Sequence, residues 1–363
     1  MNTAQLMLFP QECARLNTAI ETISEQRIPL TNNLNFVREI YTAMVSLPQG
    51  SVILAAAHGG NTSDEVCAWI TECLRNGPDG QARGNPPAMS VIKTPLGENQ
   101  RLQRKYLLDA YHGAVPLSRL AHTHEPQFQL QFGQSFLSQD RMQVVAGLIA
   151  GRPIDYYLLR DAHQLQRPGD VLWDAREHVR YIIQLAQISG RTHVLLGRMT
   201  TLWQWLDDSS IADAVTPCML HPYDLEVPHD ASEFADMLTA YDAVIPWCKG
   251  ITLVGHIQEV NSVVWGSPQR VRKWVLNALT GAKARGMEEL DWKCFWERKP
   301  TPAECTEAKA EFDLHWAHTK HQTMKPPVQT ETVLVSANAV KPKRQSKPGR
   351  CNPKRRDVGF EAA

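Results

Sequence analysis

Five short apolar runs, each followed or preceded by a helical stretch, constrain this chain more than any other feature. SVILAAA (51–57), MSVIKTPL (89–96), IDYYLLRDAHQL (154–165), THVLLGRM (192–199) and PCMLHPYDL (217–225) carry their apolar residues consecutively rather than alternately. A strand wetted on one face alternates apolar and polar residues. A continuous run requires burial on both faces, which is the condition of a parallel sheet sandwiched between helices. Between the runs lie NNLNFVREIYTAMVSL, SDEVCAWITECLR, QDRMQVVAGLIAGR, AREHVRYIIQLAQISG and TLWQWLDD. The first of these spaces Phe36, Ile40, Met44 and Leu47 for one helix face, and Pro48-Gln49-Gly50 ends it. Strands alternating with helices give an α/β fold with a parallel sheet. Two further helices, ASEFADMLTAYDAVI and PQRVRKWVLNALTGAKARGM, follow the last strand.

Charge is unevenly distributed. Of 38 Lys+Arg and 38 Asp+Glu, eight basic residues and two acidic ones fall in 341–363, so the body is at −6 and the tail at +6. The basic residues are Lys341, Lys343, Arg344, Lys347, Arg350, Lys354, Arg355 and Arg356. With no aromatic among them, such a tail suits phosphate backbones without sequence preference and with a strong salt dependence. Docking to an acidic protein patch, or plain solvation, are its other readings. From about 325 onward Pro, Lys, Arg, Ser and Gln dominate, the composition of a disordered segment. No run reaches the roughly 18 apolar residues of a membrane helix, and the N-terminus lacks the basic start and apolar core of a signal peptide. Eight scattered cysteines without a C-x-x-C pair suit a reducing, cytoplasmic setting better than a disulfide frame. His112, His122, His124 and His163 lack metal-ligand spacing, so no metal site is expected.

The run 51–57 leads through His58-Gly59-Gly60-Asn61-Thr62 into a helix with Asp64 and Glu65 in its first turn. Strand, glycine turn and helix form the setting of a phosphate-binding loop, in which backbone N–H groups and the helix N-terminus cradle phosphates. Counted against G-x-x-x-x-G-K-[ST], Gly60 and Thr62 match, Ala55 replaces the first glycine and Asn61 replaces the lysine. About 100 residues on, YYLLRDAHQL stands in the place of a strand ending in D-E-A-H. There Arg160 occupies the position of the magnesium-associated Asp, and Asp161 that of the water-activating Glu.

Residues from about 30 to 295 resemble the TniB/TnsC branch of AAA+ proteins, the ATPases of DNA transposition. The order of elements and the segments D-A-H (161–163), L-L-G-R (195–198) and H-P-Y-D (221–224) carry the resemblance. It implies an N-terminal helical extension (1–30), an AAA+/P-loop NTPase-like α/β core (31–230), a helical lid (231–324) and the basic tail (325–363). It also implies ATP and magnesium as cofactors, with Gly59, Gly60, Asn61, Thr62, Arg160 and a lid arginine, Arg270 or Arg272, at the nucleotide. As partners it implies DNA, a transposase and target-selector proteins, within a homo- or hetero-oligomer. By the same resemblance the strand 192–199 carries the first nucleotide sensor, and Ala214 takes the place of the arginine finger.

The departures share a sign. Asn61 removes a cation from the phosphates, Arg160 puts a cation where magnesium needs an anion, and Ala214 removes a group worth about 10³–10⁵ in rate. Phosphoryl transfer is accelerated almost wholly by electrostatics, so weak or absent ATP hydrolysis is expected of a regulator or adaptor, with Asp161 the remaining catalytic candidate. Arg160 itself offers phosphate a cation. Competing readings are an ordinary βα turn at 55–62, a strand-end salt bridge at Arg160-Asp161, and a solvated helix face for Arg270 and Arg272. For the whole chain they are an active but atypical ATPase and a non-nucleotide α/β protein-binding module.

Overall fold

The computed structural model describes residues 14–25, 28–58, 62–77, 84, 86–94, 110–111, 138–166 and 172–324. The chain falls into two units, 1–320 and 321–363, and the first carries the fold.

Strands β1 (Val52–Ala57), β2 (Met89–Lys93), β3 (Tyr156–Arg160), β4 (Thr192–Arg198) and β5 (Val215–Met219) form one sheet in the order β2-β3-β4-β1-β5. Every pairing in it is parallel. The described helices that precede β5 in the chain are α1 (Ala14–Glu25), α2 (Thr31–Ser46), α3 (Thr62–Asn76), α4 (Ser138–Ala150), α5 (Leu172–Ser189), α6 (Met199–Trp205) and the short α7 (Ser209–Ala212). After the sheet come α8 (Pro228–Asp242), α9 (Ile257–Val264), α10 (Pro268–Ala284), α11 (Trp292–Glu297) and α12 (Pro302–Met324). This is the helix-flanked parallel sheet that the apolar runs require. None of the described helices is long and apolar enough to cross a membrane.

The strand period explains the two apolar layers. Side chains alternate across a strand, so Val52, Leu54 and Ala56 face one way and join Leu159, Leu195 and residues of α4, α5 and α6. Ile53, Ala55 and Ala57 face the other way and join Leu158, Val194, Leu196 and residues of α2 and α3. A third core gathers α1 with α8 to α11. At its centre Trp274 stacks on Phe295 at 4.3 Å, and its indole N–H donates to the Phe295 carbonyl at 2.9 Å.

Three strands end earlier than their sequences suggest. β3 stops at Arg160 although its run extends to 165, because Asp161 turns left-handed and opens the 3₁₀ turn Ala162–Leu165. β2 stops at Lys93, although the expected run extends to 96, and residues 95 and 96 lie outside the described set. β5 stops at Met219, and Leu220 donates the last bond to the Ala56 carbonyl. Pro222 has no N–H for a ladder, so H-P-Y-D forms a latch rather than a strand. The Tyr223 N–H donates to the Gly266 carbonyl at 2.9 Å. Its hydroxyl donates to Glu233 of α8 at 2.9 Å and accepts from the Asn32 N–H at the start of α2.

Gly266 sits with φ +68° in the turn between α9 and α10, where a Cβ would lie 1.9 Å from the Tyr223 carbonyl oxygen. Positive φ costs an L-residue about 1–2 kcal/mol, and overpacking adds typically 1–3 kcal/mol. Gly266→Ala is therefore expected to destabilise the chain by about 2–5 kcal/mol in urea unfolding. A loss under about 0.5 kcal/mol, the range of an unconstrained surface substitution, would show that the Tyr223 latch is not rigid.

Candidate functional site

With every strand parallel, the five C-terminal strand ends share one side of the sheet, where ligands of open α/β folds bind. β1 lies in the interior, between β4 and β5. His58 follows it, and α3 begins at Thr62 with Asp64 and Glu65 in its first turn. Gly59, Gly60 and Asn61 lie outside the described residues, as do the side chains of Thr62 and Ser63 and the histidines 112, 122 and 124. The eight basic residues from Lys341 to Arg356 also lie outside them. Ala55 is not part of the turn. It sits fully buried inside β1, in register with Leu196 and Cys218, so the loop expected from Ala55 cannot begin before His58.

Arg160 closes β3, and its guanidinium forms an ion pair with Asp64 in the first turn of α3. The partners are 31% and 80% exposed, so this contact is water-screened and open to exchange. The strand-end salt bridge is thus present, and it joins the element after β1 to the end of β3. Burial pushes the Cys67 thiol beneath this pair up to about 12. Asp161 follows with φ 59° and ψ 34°, a left-handed conformation that Asp tolerates better than most residues. Its carbonyl accepts from Gln164 N at 2.8 Å and opens the 3₁₀ turn Ala162–Leu165. Gly197 of β4 lets that turn lie close, because a Cβ there would stand 2.8 Å from the His163 nitrogen.

Arg198 ends β4 and pairs with Glu307 of α12 at 2.9 Å. Arg270, in the first turn of α10, donates to Glu311 at 3.0 Å, lies 3.6 Å from Glu307 and donates to the Glu304 carbonyl at 3.1 Å. The Arg270 side chain is 10% exposed and that of Glu311 is 2% exposed. A solvated helix face is therefore the wrong description of Arg270: it faces inward and is held on three sides. Arg272 points elsewhere. It donates to the Ile23 and Ser24 carbonyls at the end of α1 and lies 3.8 Å from Glu65. The end of a helix leaves its last carbonyls without partners, and Arg272 satisfies two of them.

Behind the arginines lies a histidine cluster. His58 is fully buried with both ring nitrogens lacking a hydrogen bond of normal geometry. Burial, aided by the charge of Arg270, lowers it to about 3, against a smaller opposing effect of the His221 backbone. The Nδ1 atoms of His221 and His315 approach to 3.3 Å, and His315 Nδ1 lies 3.3 Å from the Met219 sulfur. Burial also lowers His163, with Arg198 adding to the effect.

A small cavity of about 20 Å³ opens between α2, α3, α8 and α10, lined by Leu30, Asn33, Glu65, Tyr241, Gln269 and Arg272 among others. That volume holds about one water molecule.

Sequence reasoning missed Arg198, Glu307, Glu311 and His58 as members of this site. Two signals in the sequence could have found them: the arginine closing L-L-G-R, and Thr301-x-x-Glu304, a helix-start pattern followed by Glu307 and Glu311.

No protein-family model matches the chain, and no curated protein matches it in sequence. Several solved structures are similar in backbone. The Aeropyrum pernix ORC2 protein in its ADPNP-ADP complexes is 9% identical over 76% of this chain and 70% of that one, with a TM-score of 0.45. Drosophila ORC bound to DNA is 11% identical over 82% and 68%, with a TM-score of 0.45. A Walker-type ATPase of Pyrococcus abyssi is 9% identical over 80% and 75%, with a TM-score of 0.37.

His58 and His193 are both buried and lowered, to about 3 and about 4, from an ordinary 6.5. Below 6.5 the unfolded chain takes up these protons and the folded chain does not, so stability falls as pH drops towards the folded values. The unfolding free energy from urea titrations between pH 7 and 5 should fall by up to about 1.4 kcal/mol per pH unit for each group. His58→Asn should flatten that slope, and an unchanged slope would remove His58 from the account.

Proposed function

We propose that this chain is an AAA+-like regulator or adaptor of DNA transposition. It binds DNA, transposase and target-selector proteins as part of an oligomer, and it hydrolyses ATP weakly or not at all. The observation that carries the second half is the state of the cations at the sheet's C-terminal edge. Arg160 is held by Asp64, Arg198 by Glu307, and Arg270 by Glu307 and Glu311. Phosphoryl transfer needs cations free to meet developing charge on phosphate. Here the described arginines at that edge already meet carboxylates.

The residues present do not fit a magnesium ion at the end of β3. Magnesium takes oxygen ligands in near-octahedral geometry, and the position expected to supply an anion carries a guanidinium paired to a nearby carboxylate. Gly59, Gly60, Asn61 and Thr62 remain the proposed phosphate contacts, with Arg160 and Arg270 as the cations available to them once their ion pairs open.

An active, atypical ATPase is the second reading. Asp161 favours it, since an acidic side chain follows β3 in a strained backbone conformation of the kind found at functional sites.

Two measurements test the proposal. Phosphate release from MgATP by the purified chain should not exceed the background, with or without duplex DNA. Turnover that collapses in Asp161→Asn would overturn this and establish the second reading. Deleting residues 341–363 should weaken binding to random-sequence duplex DNA. With eight cations removed, the plot of log K against log salt should become shallower by up to about 7. Unchanged affinity and slope would remove the tail from the DNA contact.

A further inference from the structure

Glu304, Glu307 and Glu311 are spaced by three and four residues, so they form one stripe along α12. Each meets a cation from another element: Glu304 meets Lys273 at 2.7 Å, Glu307 meets Arg198 at 2.9 Å and Glu311 meets Arg270 at 3.0 Å. Lys309 and Asp313 lie on a more exposed side of the helix and pair with each other. The helix start is secured by a reciprocal cap, in which the Thr301 N–H donates to the Glu304 carboxylate at 2.8 Å and Glu304 N donates to the Thr301 hydroxyl at 3.3 Å. Beyond the stripe, Leu314 packs on the core of the sheet, His315 meets His221 and Met219, and Phe312 rests on Trp265 at 5.6 Å. The helix thus lies across the C-terminal ends of β4 and β5, beside the turn that opens at His58.

A helix serving only to cover apolar surface would present apolar residues here. Instead it places a carboxylate with 2% exposure against a guanidinium with 10%. Taking both charges out of water costs several kcal/mol per ion before their attraction is counted, so packing alone gives no reason for the pair. A guanidinium binds carboxylate and phosphate through the same two-pronged geometry.

We infer that Arg198 and Arg270 form a polyphosphate-receiving site and that α12 is its internal occupant: the carboxylates of Glu307 and Glu311 hold the arginines in place of phosphate oxygens, and the helix must lift before a polyanion binds. This deepens the proposed reading and rests on its placing of phosphate at this edge. It makes the state of α12 the switch, since ligand and helix compete for the same two guanidinium groups. A ligand then pays the cost of opening, and its apparent affinity is reduced by the fraction of chains in the open state.

The test uses the full chain and inorganic tripolyphosphate in titration calorimetry. The double variant Glu307→Gln/Glu311→Gln should bind at least about tenfold more tightly than wild type. Asp313→Asn, on the same helix but outside the stripe, should match wild type. Adding Arg198→Ala to the double variant should abolish the gain. Glu307→Gln alone, whose partner is partly exposed, should give a smaller gain of about threefold, and it keeps the test valid if the double variant folds poorly. In hydrogen exchange, tripolyphosphate should speed exchange in residues 302–317 of wild type. Equal affinity in wild type and the Glu307 variants, or tight binding with α12 protection unchanged, would overturn the inference. MgATP in a parallel titration separates the two ideas. Binding no tighter than that of tripolyphosphate would remove the nucleotide reading, while the variant series in tripolyphosphate still decides the role of α12.

Discussion

The rest of the structure depends on the burial of β1 on both faces and both edges. β4 and β5 flank it, and residues from α2, α3, α5 and α6 share the two apolar layers to which its side chains belong. No residue from 52 to 57 is more than 4% exposed. A strand so enclosed has no polar outlet along its length, so polar chemistry is displaced to its ends. Because the sheet is wholly parallel, the C-terminal ends fall together. Arg160 and Arg198 terminate strands and His58 and His221 follow them, with Arg270 brought in from α10. Cations gathered at one apolar edge need countercharge, and the chain supplies it from Asp64 and from the stripe on α12.

The two sets of ion pairs differ in what they cost to open. Asp64 is largely in water, and an exposed pair is worth about 0–1 kcal/mol, so Arg160 can exchange partners almost freely. Arg270 and Glu311 are buried, and removing one partner of such a pair typically costs about 3–5 kcal/mol. An anion arriving at the edge therefore meets little resistance at β3 and a substantial barrier at α12. The loss of hydrolysis expected from Asn61, Arg160 and Ala214 and the restraint imposed by α12 are separate effects. The first concerns groups that the sequence lacks. The second concerns groups that it has but holds in reserve.

Much of the architecture was legible in the sequence, because a continuous apolar run admits few structures and each of the five runs contains a strand. The errors have physical causes. Ala55 stands at the motif position of the first loop glycine, but it is a small apolar residue deep in β1. The run 217–225 read as a strand, but Pro222 cannot donate to a ladder and Tyr223 is drawn away to Gly266. The role of α12 was illegible for a different reason. Glu307 and Arg198 are 109 residues apart, and nothing in local propensity ties an acidic helix to a distant strand end. Arg270 and Arg272 show the same limit on a smaller scale. Two residues apart on one helix, they point about 200° apart around it, so one meets α12 and the other caps α1.

That divergence bears on how the C-terminal helical region could respond to a ligand. Arg272 fixes α10 to α1 and to Glu65 of α3, while Arg270 fixes α10 to α12. The Tyr223 latch and the turn at Trp265-Gly266, both in left-handed conformation, fix where α10 begins. With its start and one face anchored, α10 has little freedom to move when Arg270 changes partners. The carboxylates of α12 are held by salt bridges from different elements, and its outer side is exposed. Exchange of the Arg270 partner is thus more readily accommodated by displacement of α12 than by a swing of α10, and the arginine can remain where the fold puts it while its counterion changes.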